Sequence, residues 1–102
     1  MLSDADRIVA HISTTVAAPI GTHRLRVSVW AKSTERTGSL QLIFNTAIRK
    51  RVVITDSVWQ YYEAEDHLTT AQGDSLTVLL DAGTTYGGAQ TLFDLCRLEV
   101  VR

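Results

Sequence analysis

Few residues in this chain have the types and spacing that covalent or acid–base chemistry needs. The three histidines, His11, His23 and His67, stand far apart and lack the paired spacing that puts two imidazoles on one metal. A zinc site would have to be assembled from residues distant in sequence. Cys96 is the only cysteine, so no intrachain disulfide can form. The apolar run around it, "FDLCRLEV", predicts a buried small hydrophobe, with no histidine nearby to activate the thiol. Carboxylates crowd once, in "EAED", where Glu63, Glu65 and Asp66 mark a strand end. Charges there suit a solvated edge that discourages sheet aggregation, because a general-acid pair needs a cleft. The stretch "GTTYGGAQ" has the glycines of a phosphate loop but neither its lysine nor its following helix. Its glycines suit a long hairpin connection, with the aromatic ring of Tyr86 at the tip. The chain reads as a protein that is not an enzyme.

Binding chemistry is better represented. In "RLRVSVWAKS", Leu25, Val27, Val29 and Ala31 alternate with Arg24, Arg26, Ser28, Trp30 and Lys32. The first set buries against a core, and the second sets a tryptophan and arginines on the outward face of a sheet. Trp and Arg are the residues that carry interface energy when they are exposed. Trp30, Arg26, Tyr62 and Tyr86 are therefore the candidate ligand- or partner-binding residues. Trp59, just after the "TDSV" turn, is expected to pack at the edge of the fold.

The elements that position these residues have a two-residue period almost throughout. Ile8, Ala10, Ile12, Thr14 and Val16 share a phase, as do Leu40, Leu42 and Phe44. Ile48, Val52 and Ile54 form another set, and Leu76, Val78, Leu80 and Ala82 a fourth. "AAPIGTH", "TERTG", "TDSV" and "TTAQGD" punctuate these runs as turns or loops. Thirteen threonines and ten valines favour pleated structure. A short helical turn is expected only in "LSDADR", where Ser3 and Asp6 have capping-box spacing. Seven or so short strands at regular spacing predict an all-β, antiparallel β-sandwich or jelly roll. One domain over residues 1–102 is expected, with 1–7 as an N-terminal arm or short turn.

Composition bounds the partners. With 45% hydrophobic and 21% charged residues the chain can bury a core without staples. A net charge of −1 without any basic block argues against nucleic acid or a membrane surface as partner. "MLSDADRIVA" carries acids where a signal peptide would be cationic, and no apolar run reaches the length of a membrane span. Taking Met1 as the start, synthesis and folding in a cytoplasm are expected.

Three segments in order resemble the galactose-binding-like β-sandwich of the carbohydrate-binding-module type, a scaffold also used in bacteriophage decoration and tail proteins. They are "HRLRVSVWAKST", "TDSVWQYYEAE" and the closing pair "SLTVLLDAGT…TLFDLCRLEVV", which together cover residues 22 to 102. The resemblance implies that aromatic rings on one sheet stack against sugar rings while polar neighbours bind the hydroxyls. It also implies a structural calcium, for which Asp94 is the remnant ligand. The family's paired terminal acids appear here as Asp94-Leu95, and its N-terminal strand is expected to be largely missing. No other cofactor is expected.

The function that follows is a non-enzymatic structural or adhesion protein, a bacteriophage virion component located in a capsid or tail. The alternative is a carbohydrate-binding module from a larger secreted enzyme, which would be extracellular. Other virion proteins or glycans are the expected partners, with homo-oligomerisation in either role.

Overall fold

The computed structural model describes residues 2–3, 9–33, 38–84 and 90–101. Eight strands follow one another: β1 (Leu2–Ser3), β2 (Val9–Ala17), β3 (Gly21–Ser33), β4 (Ser39–Phe44), β5 (Ala47–Val53), β6 (Gln60–Thr70), β7 (Ser75–Thr84) and β8 (Gln90–Val101). They form two four-stranded antiparallel sheets, ordered β1-β8-β3-β6 and β2-β7-β4-β5. The chain changes sheet at every connection except the β4–β5 hairpin. The protein is all-β, with the two sheets packed face to face as the alternation requires. The helical turn expected at "LSDADR" is replaced at Leu2–Ser3 by β1, which pairs with Thr91 and Gln90 of β8. Asp6 lies outside the described residues.

The core is built from the predicted phases. Leu25, Val27, Val29 and Ala31 of β3 meet Leu40 and Leu42 of β4, Leu76 of β7, and Ile54 and Leu68, all essentially without solvent contact. Phe44, Val52, Val78 and Leu80 pack around them. Ile48 departs from expectation and is 59% exposed. A register shift between Leu42 and Ile43 puts an extra β5 residue opposite β4, so Ile48 pairs with Ile43 on the outer face. The hairpin itself turns at Asn45, with φ of 56°, a left-handed conformation that asparagine tolerates. Its side chain bridges to the neighbouring turn, accepting from the Ser75 N–H at 3.0 Å and donating to Asp74 Oδ1 at 3.2 Å.

At the far end of the core Gly38 lies against Thr91. A Cβ on Gly38 would fall 2.5 Å from Thr91 Cγ2 and 3.1 Å from the Asp81 carbonyl oxygen. Thr91 is buried and bonded to Ser33 Oγ at 2.9 Å and to the Ala82 carbonyl at 3.2 Å. The glycine lets this polar tie sit inside the sandwich.

The two long sides of the sandwich are finished differently. Between β5 and β6, Arg49 Nε donates to Asp66 Oδ2 at 2.8 Å and joins the sheets. Between β2 and β8 the sheets stand apart, and Ile12 and Val16 remain about half exposed although they point inward with Val78, Leu80 and Leu98.

Candidate binding face

The outward residues of β3 meet those of β6 and β8 in cross-strand rows. Arg26 lies between Glu65 of β6 and Glu99 of β8, Ser28 between Glu63 and Arg97, and Trp30 between Tyr61 and Asp94. In an antiparallel sheet directly opposed residues share a face, so each row is a line of touching side chains. Lys32 continues the same face beyond Trp30.

The lower rows are electrostatic. Arg26 donates to Glu65 Oε2 at 2.7 Å from both Nε and Nη2, with Glu63 at 3.5 Å and Glu99 at 3.6 Å. Arg24 stands 3.8 Å from Glu65. The hydrogen bond that Arg26 donates to Glu65 raises its guanidinium pKa most. Desolvation opposes it, and the charges of Glu65, Glu63 and Glu99 add to it. Arg26 is thus committed to carboxylates of its own chain and holds the face together. Arg97, one row up, forms no ion pair among the described residues.

The upper rows are aromatic. Trp30, Trp59 and Tyr61 are 42%, 43% and 46% exposed. The rings of Trp30 and Tyr61 sit 5.6 Å apart and tilted by 56°, a favourable edge-inclined contact. Lys32 Nζ lies 5.2 Å over the Trp59 ring. Trp59 precedes Gln60, the first residue of the border strand β6. It stands on this face and shares a shallow depression with Trp30, Asp94 and Leu95. A second hollow of about 350 Å³ opens beside Trp30 and Tyr61, floored by Ser28, Arg97 and Glu99.

Of the four candidate residues, Trp30 and Arg26 share this face. Tyr62 does not: it pairs with Val29, packs on the core, and its hydroxyl accepts the backbone N–H groups of Thr55 and Asp56 at 3.2 Å each. Its neighbour Tyr61 takes the outward position. The signal was present in the strand's own phase, because Glu63 and Glu65 belong outside and Tyr61 shares their parity. Tyr86 lies outside the described residues.

The groups considered for chemistry are dispersed. Glu63 and Glu65 answer Arg26, while Asp66 answers Arg49. His23 Nε2 is 3.0 Å from the Ile20 carbonyl oxygen, and His67 lies opposite Arg24. Cys96 is exposed rather than buried, because a bulge opposite Val29 carries it and Leu95, whose φ is 53°. Partial burial of its sulfur pushes the thiol pKa up, away from a reactive thiolate. Asp94 Oδ1 accepts the Leu95 N–H at 2.9 Å and closes that bulge. Trp30, Trp59 and Leu95 line the depression beside Asp94. Among the described residues no three His, Cys, Asp or Glu side chains converge where they could hold a metal ion.

Comparison with known proteins finds no family model that matches the chain and no curated protein that matches it.

Proposed function

We propose that the protein is a non-enzymatic adhesion protein, a structural component of a bacteriophage virion, that holds a protein partner through the outer face of the β8-β3-β6 sheet. The observation that carries this reading is the exposed cluster of Trp30, Tyr61 and Trp59 above a self-neutralised row of charges. Trp and Tyr concentrate binding energy at the centre of protein interfaces, ringed by polar groups that exclude water. The 56° tilt makes the ring pair a ridge and not a flat platform, which suits insertion between side chains of a partner. Arg26 is already paired, so covering it does not strand a charge. A virion role asks for surface and rigidity and for no converging reactive groups.

A carbohydrate-binding module is the second reading. The hollow beside Trp30 favours it, since Ser28, Arg97 and Glu99 offer hydroxyl partners next to an aromatic face.

The test compares wild type with Trp30→Ala on capsid and tail particles of the encoding virus and on a glycan array. Binding to particles that weakens about 30-fold, worth about 2 kcal/mol for a central tryptophan, supports the first reading. Glycan binding lost with Trp30 moves the function to the second. Turnover of a substrate by the pure protein overturns both.

A further inference from the structure

The open side of the sandwich is unlike every other border of this molecule. β5 presents Arg49, Lys50 and Arg51, and β6 presents Glu63, Glu65 and Asp66, charges that keep other strands away. β2 presents none over Ile12–Ala17, and its outer edge has no partner strand among the described residues. On the facing sheet, β1 covers β8 only at Thr91 and Gln90, so the edge beyond them is free among the described residues. Between these edges lies an apolar slot of about 260 Å³ lined by Ile12, Val16, Val78, Leu80, Cys96 and Leu98.

We infer that this side is the interface between two copies of the chain. They are related by a two-fold axis at Leu98, with β8 running antiparallel to β8 of the partner and β2 facing its counterpart.

The register follows from faces and charges. A two-fold axis between antiparallel strands must pass through a residue, because opposed residues have to share a face. An axis at Arg97 would oppose two arginines, and one at Glu99 two glutamates. An axis at Cys96 would run the pairing into the bulge at Leu95. An axis at Leu98 sets Arg97 against Glu99 of the partner subunit, and Glu99 against the partner's Arg97. Arg97, which forms no ion pair among the described residues, gains one. The row Glu65–Arg26–Glu99 continues across the axis with alternating sign.

The inner faces agree. Leu98 meets itself, and Cys96 meets Val100 of the partner subunit. On the opposite sheet an axis at Thr14 sets Ile12 against the partner's Val16, closing the slot with apolar groups from both copies. A two-fold contact of this kind closes on itself and leaves no edge for further growth. It uses the border of the sandwich and not Trp30, Trp59 or Tyr61, and shares with the binding face only Arg97 and Glu99, which floor its hollow.

Sedimentation of the full chain tests it. Wild type is expected at twice 11.3 kDa. Arg97→Glu places like charges together at two points and is expected to weaken the dimer at least about tenfold. The swap Arg97→Glu/Glu99→Arg restores opposite signs and is expected to recover it. In a Cys96→Ser background, Leu98→Cys is expected to form an intermolecular disulfide on mild oxidation, as it faces itself within bridging distance. The native Cys96, displaced from its counterpart along the strands, is not. Trp30→Ala is expected to leave the dimer intact, which separates this interface from the binding face. A monomeric wild type, a dimer indifferent to Arg97→Glu, no recovery in the swap, or a dimer lost with Trp30→Ala overturns the inference. Circular dichroism confirms that each variant is folded.

Discussion

Val29 and Trp30 are adjacent in the chain and opposite in role, so substitutions at such positions separate folding from binding. Leu42 has no solvent contact, and Leu42→Ala is expected to cost about 2–5 kcal/mol through lost burial and a residual cavity. Trp30→Ala is expected to cost about 1 kcal/mol, chiefly the contact with Tyr61, while removing the binding surface. Denaturant titration of both variants reads the difference directly. Gly38 supplies a second residue-scale test. Its added methyl would meet Thr91 Cγ2 and the Asp81 carbonyl, so Gly38→Ala is expected to lose about 1–3 kcal/mol by overpacking. Thr91→Ser removes the methyl at 2.5 Å and keeps the hydroxyl bonded to Ser33 and Ala82. The double variant should therefore be more stable than the sum of the singles, a coupling that a thermal-melt cycle measures.

At the scale of elements, the Arg49–Asp66 bridge is the tie between the β5 and β6 borders. Burial by itself pushes the Asp66 carboxyl up. The hydrogen bond and charge of Arg49, the His67 N–H and the charge of Lys50 outweigh it and hold the group below the ordinary aspartate range. A depressed folded pKa contributes stability that is present above the unfolded pKa, near 3.8. That stability is lost as pH falls through the lower folded value. Asp66→Asn is expected to cost about 1 kcal/mol at neutral pH, or roughly 4–8 °C in Tm, and the gap to wild type should close as pH falls through the depressed folded value. The strands that carry this tie show what alternation discloses and what it misses. β3 was legible from Arg24 onward, because each inward position there is aliphatic or small and each outward one polar or Trp; Gly21 to His23, read as loop, belong to the strand as well. β4 and β7 were legible from their inward positions, Leu40, Leu42 and Phe44 in one and Leu76, Val78, Leu80 and Ala82 in the other. β5 was not: one inserted residue reversed the face of Ile48, and a bulge leaves no mark in hydrophobic period. β6 was found but read too short, since Glu63, Glu65 and Asp66 lie in mid-strand and it runs on to Thr70, and Tyr62 was taken for the outward ring in place of Tyr61. The bulge that turns Leu95 outward and leaves Cys96 at the open slot was invisible for the same reason as the one in β5. The aromatic face could be anticipated at Trp30. Its partners Tyr61, Trp59 and Asp94 come from two other segments and are assembled only by strand order.

For the molecule as a whole, the two sheets differ in how deeply each strand is protected. β3 is flanked by β8 and β6, with Val27 and Val29 shut off from solvent, whereas β5 and β2 are borders. Local opening costs least where a strand has one neighbour and little buried apolar surface. Amide exchange is therefore expected to be slowest in peptides covering Val27 to Ala31, near the rate set by global unfolding. It should be fastest in those covering Arg49 to Arg51. The borders should also respond differently to concentration. The β5 border carries three consecutive cations and closes through Arg49, so its exchange should be independent of protein concentration. The β2 and β8 borders are uncharged at the backbone edge or self-complementary in charge, and they flank the open slot. If two copies close that slot, peptides covering Ile12 to Val16 and Cys96 to Val100 should gain protection as concentration rises through the dimer dissociation constant. Arg97→Glu should abolish the gain at both borders together, because one axis serves both sheets. Protection that rises at β8 alone would mean that the strands pair while the slot stays open, which the apolar pairing of Ile12 with Val16 across the axis does not allow.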